Sequence, residues 1–219
     1  MRATPQTYDV IVADVFHPAR DGAGALYSLE HFQAVRSRLA PGGLFCQWLP
    51  LHQLDLDSLR SIVQAFLQVY PDGRALLASN SLQTPVLGLL GGRAPARFAI
   101  DAVEARLAAA TALKPAQHGI EDAYALLGSF VAGPAALRRF AGDAAANTDD
   151  LPVVAYRAPR LVYAPDSLPR DRLITLLAAL SIAPDEVLVT TADPGAARRL
   201  AAYWQARDRF LVLGRDVRP

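Results

Sequence analysis

The chain has 219 residues, of which 52% are hydrophobic, and its 22 basic and 21 acidic residues leave a net charge of +1. That composition suits a buried core and excludes a disordered chain, while near-neutral charge without a Lys/Arg tract argues against a nucleic-acid or membrane-surface binder. A single cysteine, Cys46, excludes an intrachain disulfide and fits a reducing compartment.

The opening "MRATPQTYD" has no apolar core of a signal peptide. Residues 8–15, "YDVIVADV", read as a buried strand: continuous and β-branched, as expected for a parallel sheet covered on both faces. A loop containing His17, Pro18, Asp21, Gly22 and Gly24 follows. Residues 28–39 read as a helix capped by Ser28, with Phe32, Val35 and Leu39 on one face. "APGG" at 40–43 is expected to stop it through a left-handed glycine. Residues 44–49 read as a second strand, and 55–70 as a second helix with Leu59, Ile62, Val63, Phe66 and Leu67 on its apolar side. Residues 75–79 and 86–90 read as two short strands. The order β-α-β-α-β-β implies an α/β fold with parallel strands and right-handed crossovers.

Composition changes after Arg93. Residues 101–109, 120–131, 135–141, 168–180 and 195–210 read as helices, 147–152 ("NTDDLP") as a turn-rich loop, and 153–159 as a short extended piece. The expected organisation is a partial α/β domain over 1–95 and a mainly helical region over 96–219. The longest apolar stretches, 173–183 and 85–92, fall short of the roughly 20 residues that span a bilayer, so a cytoplasmic location is expected.

In open α/β sheets, ligands sit at the carboxyl ends of strands. Asp14 lies at such an end, as do Gln47, Trp48 and His52 after the second strand, so these groups can share one crevice. A partly desolvated carboxylate there can accept a proton from an amine or hold a cation. Asp14 is equally read as a turn former bonding nearby amides. The glycines of the following loop suit a lid anchored by Tyr27 and Phe32. His31 and His118 read as surface residues. Asp14, His17, Cys46 and His52 lack a compact metal-ligand spacing, so no metal is expected. Cys46, in mid-strand, reads as a small apolar residue rather than a nucleophile. Neither "DGAG" nor "LLGGRAPA" joins a strand to a helix as a dinucleotide fingerprint requires.

"YDVIVADVFHPARDGAGALYSLEHFQAVRSRLAPGGLFCQWLP" resembles the middle of spermidine synthase-like proteins, the polyamine aminopropyltransferases. The matching residues are Asp14, Pro18, Gly22, Tyr27, Phe32, Leu39, Pro41, Gly42, Gly43 and Gln47. "NTDDLPVVAYRAPR" at 147–160 is similar to a motif of the bacterial branch, in which such a domain is often fused behind a membrane-spanning region. The resemblance covers residues 7–163. It implies a class I methyltransferase-like (Rossmann-like) fold lacking its first strands. It also implies transfer of an aminopropyl group from decarboxylated S-adenosylmethionine to a polyamine acceptor such as putrescine. Asp14 would be the catalytic proton acceptor, His17 and Gln47 substrate-binding residues, and Pro18, Asp21, Gly22, Gly24 and Tyr27 parts of a gate loop. His17 stands where authentic members usually carry an acidic residue. The family's glycine-rich nucleotide loop would precede Tyr8, which makes independent activity doubtful. The strand at 8–15 is then expected to self-associate or to take a partner that supplies further strands. The competing readings are an S-adenosylmethionine-dependent methyltransferase and a non-catalytic interaction module. For the segment around Tyr203, Trp204 and Phe210, core packing is expected.

Overall fold

The computed structural model describes residues 5–93, 97–189 and 194–217. In chain order the first half forms β1 (Tyr8–Ala13), a 3-10 turn (Ala23–Tyr27), α1 (Leu29–Arg36), β2 (Leu39–Pro50), α2 (Leu56–Val69), β3 (Arg74–Leu77) and β4 (Val86–Gly92). The second half forms α3 (Ile100–Ala109), a 3-10 turn (Pro115–His118), α4 (Ala123–Leu127), β5 (Phe130–Ala132), α5 (Pro134–Ala141), α6 (Val153–Tyr163), α7 (Pro169–Ala179), α8 (Pro184–Val187) and α9 (Pro194–Val217). The fold is α/β: a five-stranded mixed sheet, order β1-β2-β4-β3-β5, with a helical C-terminal region.

The sheet departs from an all-parallel expectation. Among the described strands only the neighbours β1 and β2 pair in parallel; β4 is antiparallel to both β2 and β3, and β3 is antiparallel to β5. The eight residues between β3 and β4 are too few for a crossover helix, so these strands close as a hairpin. The expected helix at 120–131 is instead α4 followed by β5, because Phe130, Val131 and Ala132 are all buried at the sheet edge. The expected extended piece at 153–159 is helical: Val154, Ala158 and Leu161 recur at helical spacing and are buried.

Helix ends follow local chemistry. Ser28 Oγ accepts the His31 amide at 3.3 Å, and Asp55 Oδ1 accepts the Ser58 amide at 2.6 Å. The glycine stop expected after α1 does not form. The helix ends at Arg36, and Gly42 (φ 76°) instead lies within β2, where the β1–β2 register slips between Tyr8 and Val10.

Alternation along the strands sorts the two faces. Ile11, Phe45, Leu87, Leu89, Ala75 and Leu77 turn to the face covered by α1 and α2. There Phe32, Phe45, Phe66 and Tyr70 form one aromatic cluster, with Phe66 and Tyr70 centroids 5.0 Å apart and Phe32 edge-on to Phe66 at 5.5 Å. Each large side chain buried in that layer contributes roughly 1.5–3 kcal/mol. On the opposite face Leu76 and Leu90 pack on a second cluster of Leu127, Phe130, Val187, Leu200 and Trp204. Trp204 is in this core and donates to the Leu127 carbonyl at 3.2 Å. The core-packing expectation fails for Phe210, which is 64% exposed, and holds in part for Tyr203, which lies against Gly128.

This second layer stops short of β1. Val10 and Val12 are 62% and 56% exposed, while their neighbours Ile11 and Ala13 are buried. The strand is thus covered on one face, not on both as its sequence suggests. No helix among the described residues is long and apolar enough to cross a membrane.

Candidate functional site

The parallel pair β1–β2 sets the geometry. Ala13 sits beside Gln47 in the ladder, so Asp14, Gln47 and the turn after β2 share the carboxyl rim of the sheet. Because β4 is reversed, its first residues reach the same rim: Pro50 pairs with Val86, and the Leu51 amide donates to the Pro85 carbonyl at 3.0 Å.

Asp14 is exposed just beyond β1, and its Oδ1 accepts the Val15 amide at 2.7 Å. Its other oxygen carries no protein bond among those described. Gln47 is fully buried; its Nε2 donates to the Trp48 carbonyl at 3.1 Å, and its Oε1 has no protein partner. His17 Nδ1, His52 Nδ1 and Gln53 Oε1 are likewise buried without a protein partner. Burial lowers the His52 pKa, a hydrogen bond to the Pro85 carbonyl works the other way, and the charges of Arg172 and His17 lower it further.

Arg172 on α7 is the residue that sequence reading missed here. It is buried, and its guanidinium donates to the carbonyls of Leu51 (3.4 Å), His52 (3.1 Å) and Ser167 (2.6 Å). Burial lowers its pKa, opposed by Asp166, Asp55 and Asp171. Its donors are spent on backbone, so it shapes the 51–53 turn rather than offering a free anion site. The available signal was an arginine, four residues before Leu176, at the head of an apolar helix face. Next to it, His52, Gln53, Leu161, Asp166, Leu168 and Arg172 line a cavity of about 440 Å³.

The loop after β1 is tied down at both ends. Two successive turns, Arg20 amide to His17 carbonyl (3.1 Å) and Ala23 amide to Arg20 carbonyl (3.0 Å), carry it past Pro18, which is buried. Asp21 is exposed at its tip. Gly22 adopts φ 77°, which an L side chain rarely adopts, and starts the 3-10 turn. Tyr27 is fully buried and its hydroxyl donates to the Phe16 carbonyl at 2.7 Å; burial drives its pKa well above the usual phenol value. Gly24 lies so close to Ala155 that a Cβ would stand 3.0 Å from the alanine Cβ.

The "NTDDLP" segment holds this loop. Asn147, fully buried, donates from Nδ2 to the Gly24 carbonyl and accepts the Val154 amide on Oδ1, both at 3.1 Å. Its own carbonyl accepts the Leu29 amide at 2.9 Å, and its amide donates to the Ser61 carbonyl at 3.1 Å. The Ser28 hydroxyl hydrogen-bonds Asp149 Oδ1 at 2.7 Å.

The remaining candidates fall elsewhere. Cys46 is half-buried, and burial pushes its thiol up to about 11, which does not suit a nucleophile. His31 is not a surface residue: it is half-buried and edge-on to Phe32 and Phe45. His118 is exposed and lines a separate cavity of about 540 Å³ with Trp48, Asn80, Tyr203 and Arg207. Among the described residues no group of three or more His, Cys, Asp or Glu is arranged to hold a metal ion.

The rim carries side-chain atoms without a protein partner: the amide oxygens of Gln47 and Gln53, a ring nitrogen each of His17 and His52, and a carboxylate oxygen of Asp14. Such a set complements a ligand rich in N–H donors. No family model matches the chain, and no curated protein does. A solved structure of a probable spermidine synthase from Corynebacterium glutamicum is similar at a TM-score of 0.39 and 21% identity, over 67% of this chain and 49% of that one. This chain therefore spans about half the length of that protein.

Proposed function

We propose that the rim is the acceptor-amine side of an aminopropyl-transfer site, with a polyamine such as putrescine as its ligand. The observation that carries this is that Asp14, Gln47 and the 51–53 turn share the carboxyl rim of the sheet, where side-chain atoms of Gln47, His52 and Gln53 have no protein partner. An ammonium group supplies the donors that these atoms lack. Asp14, on an accessible strand end, takes the proton that frees the nitrogen lone pair. The nitrogen then attacks the methylene next to the donor's sulfonium. A C–N bond forms, the C–S bond breaks, and the electron pair leaves on sulfur as a neutral thioether. Decarboxylated S-adenosylmethionine is the co-substrate with that chemistry. Among the described residues none forms a glycine-rich turn from strand into helix, so no residues are assigned to its nucleoside. Gln47 orients the amine, and Tyr27 and Asn147 fix the loop above it.

Calorimetric titration with putrescine tests the reading. Wild type should bind the diamine, and Asp14→Asn should weaken binding about tenfold or more, as loss of one charge-assisted contact does. Equal binding by both proteins refutes the role of Asp14. Incubation with putrescine and either decarboxylated or intact S-adenosylmethionine then separates aminopropyl from methyl transfer; methyl transfer would replace this reading with a methyltransferase.

A further inference from the structure

On the face of the sheet away from α1 and α2, one row of side chains has a gap in it. Trp48, Gly88 and Leu76 are cross-strand neighbours on β2, β4 and β3, and the middle one has no side chain. The Trp48 ring leans over that glycine: a Cβ on Gly88 would stand 2.6 Å from Trp48 Cζ3. On α9 the Tyr203 ring is seated on Gly128 in the same way, where a Cβ would overlap the ring edge. Both rings line the cavity of about 540 Å³ that the aminopropyl-transfer reading leaves unused. Trp48 is half-buried and Tyr203 is 40% exposed, so both keep free surface.

We propose that this cavity binds an uncharged, flat bicyclic nitrogen heterocycle such as a purine base, stacked on Trp48 and held at its polar edge by the Asn80 amide. The volume falls within the roughly 300–1,000 Å³ of small-molecule sites, and aromatic and apolar walls with a few polar groups are their usual lining. A flat base offers its π-face to an indole whatever its substituents. Asn80, on the loop after β3, is exposed, and its amide makes no hydrogen bond among the described residues. It can therefore donate to a purine edge and accept from it at once. The lack of charge follows from Arg207, which among the described residues is the one Lys or Arg on the wall. Its guanidinium donates to the carbonyls of Gly128 and Phe130 at 2.6 and 2.7 Å and pairs with Asp208 at 2.8 Å. Its donors are spent, so none is offered to a phosphate. The site shares no residue with Asp14, Gln47 or the 51–53 turn, and the proposal stands apart from the amine reading of the rim.

Calorimetric titration of the full chain with adenine should show saturable binding, and AMP should bind more weakly because its phosphate finds no free cation. Tyr203→Ala, at an exposed position, should weaken adenine and 1-methylindole alike, by about tenfold, because it removes a ring from the wall. Asn80→Ala, also exposed, should weaken adenine about fivefold and leave 1-methylindole unchanged, since that bicycle has no hydrogen-bonding edge. The chain has two tryptophans, and Trp204 is buried in the second core. Adenine should therefore quench the emission of Trp48, read in a Trp204→Phe background. Three results would each overturn the proposal. One is the absence of saturable adenine binding to the wild-type chain. Another is AMP binding more tightly than adenine. The third is adenine affinity unchanged in both Tyr203→Ala and Asn80→Ala, which would put the ligand elsewhere.

Discussion

Asn147→Ala removes one fully buried side chain and leaves two buried backbone groups, the Gly24 carbonyl and the Val154 amide, without partners. Each buried group stranded in this way costs roughly 1–3 kcal/mol, so the pair should cost roughly 2–6, with about 3 kcal/mol after local relaxation. For a chain of this size that lowers Tm by roughly 6–12 °C. Asn147→Asp should fare no better: its carboxylate still accepts from Val154 but cannot donate to Gly24, and it places a charge in a buried site. Urea unfolding followed by circular dichroism gives the free-energy change. Amide hydrogen exchange gives its location, because protection at residues 23–29 should fall more than protection in β2. A loss below about 1 kcal/mol, or unchanged exchange at 23–29, would refute the claim that Asn147 holds the loop.

Gly91→Ala should destabilise by about 1–3 kcal/mol in urea unfolding, because the new methyl would stand 2.5 Å from Cγ of Tyr70, a buried ring held between Phe45 and Phe66. His52 should make the chain less stable on the acid side. Its folded pKa lies below the unfolded one of about 6.5, so the unfolded state binds more protons as pH falls from there. The stability present above about pH 6.5 should drain away as pH falls to the folded pKa and then level off, and His52→Gln should flatten that slope. Arg172→Met should cost about 3 kcal/mol or more by stranding the carbonyls of Leu51, His52 and Ser167, and should raise the His52 pKa, read by NMR titration, by removing a nearby positive charge.

Much of the fold was legible where one rule dominates. The helical period of Leu59, Ile62, Val63 and Phe66 marks α2, and Asp55 marks its start, because amphipathicity and capping are local. β1 and β2 were legible as strands, and Asp14 as a strand-end residue, for the same reason. The direction of β4 was not, since Val86–Gly92 reads alike forwards and backwards, and only the short connection from β3 distinguishes the two. β5 was hidden because "LLGSFVA" suits a helix equally until Phe130 finds its place beside Leu76. In the candidate site, the rim residues on β1 and β2 could be grouped by sequence position alone. Arg172 and Asn147 could not: they reach the site from 120 and 123 residues away, on partners that are backbone carbonyls and amides, which leave no side-chain pattern to read.

The reversal of β4 has a consequence for how such a rim can diversify. It delivers the connection between β3 and β4 to the carboxyl rim, so a loop borders the candidate site without being part of any helix or strand. Residues 78–80 and 83–84 are exposed there, and Pro85 closes the segment against the core. Among the described residues its side-chain hydrogen bonds are local, between Ser81 and Thr84. Exchanges at 79–81 and 83–84 therefore leave the hairpin ladder from Leu77 and Leu87 inward intact, while Leu82 stays packed on the core. That loop is the natural position for randomised libraries that alter selectivity, and the place where lineages of this fold can drift in specificity at little cost in stability.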